Sequence, residues 1–197
     1  MISPTIDPHR SVFLVMDMQN SVLGQFEGTD PVVQCVKETI AKARGTGMKI
    51  GYVRLAFNDL DYMRMPQTDE RLVDIAQNRR LFDGDPSTEI HSDLEPQLGD
   101  IVVRKTRVGA FSTTDLEKKL RSISRDTIVL AGARTSGVVL STLLEAADRD
   151  FKLFVLSDGC FDPNPELHNM LLEKLFPRYA TVTNSGSFED VVKSRLG

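Results

Sequence analysis

The chain has 197 residues, a formal net charge of −4, 41% hydrophobic and 26% charged residues. That balance excludes intrinsic disorder, and the length asks for one hydrophobic core, so residues 1–197 are read as a single domain. Lysines and arginines are scattered within an acidic whole, which excludes a nucleic-acid footprint and a polybasic membrane patch.

No apolar run approaches the length of a bilayer span, and residues 1–10 carry no signal-like apolar core. The expected location is the cytoplasm, and the expected partners are small molecules or copies of the same chain. Cys35 and Cys160 form no CxxC pair and no metal-like spacing, so neither a disulfide framework nor a cysteine zinc site is expected.

The first apolar run, 12–17, is continuous rather than alternating, as in a strand whose two faces are both covered by helices. It ends on Asp17, followed by Gln19 and Asn20. A carboxylate there is costly unless paired or hydrogen-bonded, and ligands of open α/β sheets bind at this end of the strands. Asp17 therefore either serves a site, with Gln19 beside it, or caps the following turn.

Val32, Val33, Val36 and Ile40 recur at helical spacing, predicting a helix over 30–43 that Gly45 and Gly47 terminate. A second strand is predicted over 49–56. From 57 to 98 no strand is evident. This charged excursion reads either as a substrate loop or as a solvated loop with a short helix over 69–78.

The strand predicted over 101–104 leads into Lys105, in the same topological position as Asp17. If the two strands are neighbours, each side chain supplies the opposite charge that the other's burial requires. The alternative is an exposed lysine at a strand end. Arg107 and Phe111 follow and are candidates to line the same pocket.

Thr114 with Glu117 makes a capping-box pattern before Leu116 and Leu120. The strand over 127–132 then turns through small residues, Gly132 to Val139, into a helix. Amides there would face the end of the sheet as an anion or oxyanion site. A fifth strand is predicted over 152–157. Asn164 and Pro165 open a helix carrying Leu167, Met170, Leu171 and Leu175 that Pro177 ends, a sixth strand covers 180–183, and Ser187 with Asp190 opens the last helix. The alternation of strand and helix predicts an α/β, doubly wound, mainly parallel six-stranded sheet with helices on both faces.

Taken in order, Asp17, Lys105 and the turn 132–139, with the Leu156-Ser157-Asp158-Gly159 stretch, resemble the isochorismatase-like cysteine hydrolase family. Isochorismatases, nicotinamidases and N-carbamoylsarcosine amidases belong to it. The resemblance covers nearly the whole chain. It implies a six-stranded parallel sheet, a homo-oligomer, a catalytic aspartate at Asp17 and a catalytic lysine at Lys105. The family turn G-x-x-T-x-x-C-V, laid on Gly132 and Thr135, puts Val138 at the nucleophilic cysteine, and a valine cannot attack a carbonyl. Arg134, Thr135, Ser136 and Gly137 on this turn become substrate-binding candidates. A cis peptide is implied at Ala133–Arg134.

Nicotinamidase-like members carry an Asp and His cluster after the second strand. Here Asn58, Asp59 and Asp61 have no nearby histidine, so no metal and no cofactor are expected. His91 and His168 read as surface or capping residues, and Ser136 has no base that sequence places beside it.

The resemblance leaves ether hydrolysis open without a thiol. Asp17 would protonate the vinyl carbon of an enol ether such as isochorismate, water would capture the oxocarbenium ion, and pyruvate would depart. Asp17 serves as that acid only if burial outweighs the lowering effect of Lys105. Arg64, Arg79, Arg80, Arg107 and Arg134 are available for substrate carboxylates. Two alternatives stay open: an amide or ester hydrolase with another nucleophile or an activated water, and a catalytically silent binding or assembly protein.

Overall fold

The computed structural model describes residues 5–192. Its strands are β1 (Ser11–Met16), β2 (Lys49–Leu55), β3 (Ile101–Lys105), β4 (Thr127–Ala133), β5 (Lys152–Phe161) and β6 (Thr181–Thr183). They form one sheet in the order β3-β2-β1-β4-β5-β6, with every pairing parallel. The helices are α1 (Asn20–Leu23), α2 (Asp30–Gly45), α3 (Asp59–Met63), α4 (Glu70–Gln77), α5 (Leu116–Ser122), α6 (Leu140–Ala147), α7 (Pro165–Met170) and α8 (Phe188–Val191). Among the described residues no helix is long and apolar enough to cross a membrane.

Two cores explain the unbroken apolar runs. Alternate residues of a strand point to opposite faces, so Val12, Leu14 and Met16 enter one core while Phe13 and Val15 enter the other. The first core is closed by Leu116 and Leu120 of α5, Leu143 of α6 and Leu171 beyond α7; the second by Val32, Val36 and Ile40 of α2 and Phe188 of α8. Each fully buried side chain of this size contributes about 1.5–3 kcal/mol. All six residues of β1 are buried, which is why no polar alternation marks it.

The local signals held unevenly. Asn164 caps α7, accepting the Leu167 N–H at 3.0 Å, with Pro165 at the first helical position. The helix continues through a π turn at Leu171–Leu175 into a 3-10 turn, Phe176–Arg178, that contains Pro177. The capping box at Thr114 does not form. Its hydroxyl donates to the Ala110 carbonyl at 2.6 Å and accepts from Leu116 N, so α5 starts one residue later with Asp115 at its cap. Ser187 stands at the cap of α8 but its side chain accepts no capping bond.

The excursion contains α3, α4 and two short 3-10 turns, and no strand. The helix expected over 69–78 is α4, capped by Asp69, whose side chain accepts the Arg71 N–H.

Candidate active site

A cavity of about 800 Å³ opens at the C-terminal ends of β1, β3 and β4. Asp17, Lys105, Arg107, Arg134, Ser136, Gly137 and Val138 line it, facing residues of the excursion. Gln19, Phe111 and Thr135 do not.

Asp17 leaves the end of β1 with φ 54°, a left-handed conformation uncommon outside glycine, while its N–H still bonds to Val53 O at 2.9 Å. This turn takes the side chain out of the strand's alternation. Lys105 closes β3. The strands are not neighbours, because β2 lies between them, and parallel spacing puts their axes about 10 Å apart. The four-carbon stem of lysine bridges that gap, and Lys105 Nζ reaches Asp17 Oδ2 at 2.8 Å.

The ammonium donates twice more, to Val108 O at 2.6 Å and Arg107 O at 3.1 Å, so its three protons meet three acceptors. Lys105 is 1% exposed, and a buried cation is tolerated on those terms. Asp17 Oδ1 has no hydrogen-bond partner and is buried. Burial drives the Asp17 carboxyl above its ordinary range and outweighs the opposing pull of Lys105. The lysine thus anchors one carboxyl oxygen, and the other has no partner among the described residues.

The turn after β4 begins with a cis peptide at Ala133–Arg134 and runs through the π turn Thr135–Val139 into α6. Gly132 is required here: a Cβ would lie 2.6 Å from Met16 O of the adjacent strand. Val138 is 2% exposed, with an aliphatic side chain at the cavity wall. Neither cysteine reaches the cavity. Cys160 packs in the first core, where burial pushes its thiol up to about 12, and Cys35 lies on α2.

Several candidates have other duties. Gln19 is fully buried; its amide donates to Leu55 O (3.0 Å) and Thr88 O (2.7 Å) and accepts Leu55 N–H (2.7 Å), stitching β1's exit to the excursion. Phe111 packs against Phe151, with ring centroids 5.8 Å apart, and the Arg149 guanidinium lies over its ring, 5.1 Å from the centroid. Thr135 is fully buried, its hydroxyl 2.8 Å from His168 Nδ1. His168 is thus neither a surface residue nor a cap, and burial lowers its pKa.

Sequence reasoning missed Asp162. It ends the β5 run as Asp17 ends β1, and that shared position was the available signal. Asp162 Oδ2 accepts both the Ser136 N–H (2.8 Å) and the Ser136 hydroxyl (2.6 Å), and Oδ1 accepts Asn164 N–H. Ser136 does have a carboxylate beside it.

The carboxylates after β2 do not fit a zinc site. Asp61 caps α3 with Asn58 and pairs with Arg104 at 2.6 Å, and Asp59 pairs with Arg79 at 2.5 Å. The sequence has no histidine between His9 and His91.

The sheet order and the Asp17–Lys105 pair at its strand ends give the frame for comparison with known proteins. The isochorismatase domain model matches residues 11–187, and the chain belongs to the isochorismatase family of hydrolases. It is 30% identical over 188 residues to the isochorismatase family protein YwoC of Bacillus subtilis, covering 95% of this chain and 97% of that one. It is 29% identical to the isochorismatase of the same organism, over 95% of this chain and 60% of that protein. The ureidoacrylate amidohydrolase RutB of Pantoea ananatis is 28% identical, over 81% and 72%. Among solved structures, a cysteine hydrolase from Pseudomonas syringae superposes with a TM-score of 0.84 at 23% identity, over 97% of this chain and all of that one. That likeness, like the TM-score of 0.72 to N-carbamoylsarcosine amidase of Thermoplasma acidophilum at 24% identity, concerns the fold.

Proposed function

We propose that the chain hydrolyses an enol ether of the isochorismate type, with Asp17 as general acid and no thiol nucleophile. The observation that carries this reading is the acid itself: a buried carboxyl whose pKa is raised, anchored through one oxygen and free at the other, in a cavity that neither cysteine reaches. A raised pKa lets Asp17 carry a proton to the vinyl carbon. The resulting oxocarbenium ion is captured by water, and the hemiketal expels pyruvate. Lys105 orients the carboxyl and takes no covalent part.

Pyruvate release from isochorismate tests it. Wild type should turn over, and Asp17→Asn should lose about 10²–10⁴-fold in kcat, the usual worth of a positioned acid. A folded wild type that releases no pyruvate would falsify the substrate assignment.

A second reading is amide or ester hydrolysis, favoured by the Ser136 hydroxyl donating to Asp162 at the cavity edge. The likeness to the ureidoacrylate amidohydrolase RutB lends it weight. Asp162 also accepts the Ser136 and Asn164 N–H groups, so both of its oxygens are already engaged in holding the turn. Turnover of amides that Ser136→Ala abolishes would establish this reading in place of the first. Under either, the partner is a small molecule. A cytoplasmic homo-oligomer is part of the same proposal, and light scattering in solution tests the assembly.

A further inference from the structure

Resting on the enol-ether reading, we infer that the substrate is a dianion whose scissile bond lies between its two charged groups, one received by Arg107 and the other by Arg134. The sorting of cations in the cavity carries this. Arg71 pairs with Asp69 at 2.9 Å, Arg79 with Asp59 at 2.5 Å, Arg80 with Asp74 at 2.7 Å, and Lys105 with Asp17. Arg107 and Arg134 line the same cavity and have no carboxylate within ion-pair distance among the described residues. Arg64 does not line it.

Each of the two is held in place without neutralising its charge. The Arg107 backbone carbonyl accepts from Lys105, and its guanidinium donates to Thr106 O at 2.6 Å, leaving other donors free. Arg134 lies over the Phe26 ring, 5.6 Å from its centroid, and Phe26 packs in turn against Phe161 in a tilted pair, with centroids 5.5 Å apart. A guanidinium resting on an aromatic face keeps its fork of N–H donors available for a planar anion.

Sheet order fixes where these cations stand relative to the acid. Arg107 follows β3, two strands to one side of β1, and Arg134 follows β4, the next strand on the other side. Three strand spacings separate β3 from β4, about 14 Å, and two inward-reaching arginine side chains narrow that span. Asp17 lies between them. A substrate gripped at both ends therefore presents its middle to the Asp17 carboxyl, which lines the cavity between them, so the geometry selects for a bond flanked by two anions. A neutral amide would leave both cations unpaired.

Binding without turnover tests the inference. The probe is 3-(carboxymethoxy)benzoate, a stable ether dianion, compared by calorimetry with its two half-amides, 3-(carbamoylmethoxy)benzoate and 3-(carboxymethoxy)benzamide. The dianion should bind about tenfold or more tightly than either half-amide, as charge-assisted guanidinium–carboxylate bonds would require. Arg107→Gln and Arg134→Gln, with unchanged thermal midpoints, should each remove that advantage, and each should spare a different half-amide. Arg71→Gln, at a cation already paired, should change affinity less than twofold. Equal affinity for dianion and half-amides, or a larger loss at Arg71 than at Arg107 and Arg134, overturns the inference. Dianion preference without pyruvate release from isochorismate supports the cradle and sinks the enol-ether reading. Pyruvate release without dianion preference does the reverse.

Discussion

A carboxyl buried beside an ammonium is pulled in both directions, and which wins decides what Asp17 can do. Desolvation wins here, so the protonated form extends to higher pH than for an ordinary aspartate. The active species in acid catalysis is that protonated form. The expected kcat/KM for pyruvate release is therefore flat at low pH and falls with unit slope as pH rises through the Asp17 pKa. Lys105 opposes the upward shift, so Lys105→Met, which keeps the apolar stem and removes the charge, should move this falling limb to higher pH. A limb that stays put, or moves down, would show that another group controls the profile. The cysteines supply a second residue-scale expectation. With Cys160 buried at a pKa of about 12 and neither cysteine lining the cavity, iodoacetamide should leave turnover unchanged. Inactivation that tracks alkylation would restore a thiol mechanism.

At the scale of elements, the close seating of β4 on β1 sets the cavity's floor. A methyl group at Gly132 would press on the Met16 carbonyl, and the strand backbone cannot move away without losing its ladder. Gly132→Ala should cost about 1–3 kcal/mol in urea denaturation, the usual range for overpacking a filled site. A neutral result would mean that β4 shifts freely. The strands and most helices were legible because burial on both faces writes itself as uninterrupted apolar runs, and because Asn164-Pro165 is a cap with its own mechanism. The excursion was not. Its anchors are polar: Arg54 to Asp83 at 2.5 Å, Arg104 to Asp61, and the Phe57 backbone to Leu81 and Asp83. Such pairs join residues tens of positions apart and leave no periodicity. Asp17 and Lys105 were legible as charges ending buried strands, although their meeting depends on lysine's reach across β2 and not on adjacency. Gln19 misled for the opposite reason: an amide beside a catalytic carboxyl looks like a ligand, and only the fold shows that three backbone partners saturate it. Asp162 escaped notice, and His168 read only as a surface or capping residue, because their partners, Ser136 and Thr135, lie 26 and 33 residues away.

For the molecule as a whole, the charge budget is inverted between surface and site. The chain carries −4 overall, yet two uncompensated guanidinium groups face the cavity. A concave, cationic site in an acidic protein concentrates field lines on itself, and salt weakens its hold on anions. KM for isochorismate should therefore rise with ionic strength while kcat stays nearly constant, because screening acts on capture and not on the buried acid. A KM indifferent to salt would argue against anion capture.

The two halves of the Asp17–Lys105 pair do not rest on equally firm ground. Asp17 leaves β1, which is paired on both sides, whereas Lys105 belongs to β3, whose outer edge has no strand beside it among the described residues and whose Val102 is 42% exposed. Border strands breathe more readily than interior ones. Each opening of β3 would withdraw the ammonium from Asp17 and carry Arg107 away with it. Amide exchange along β3 should accordingly outpace that along β1, and a bound dianion, by tying Arg107 to Arg134 across the sheet, should slow it.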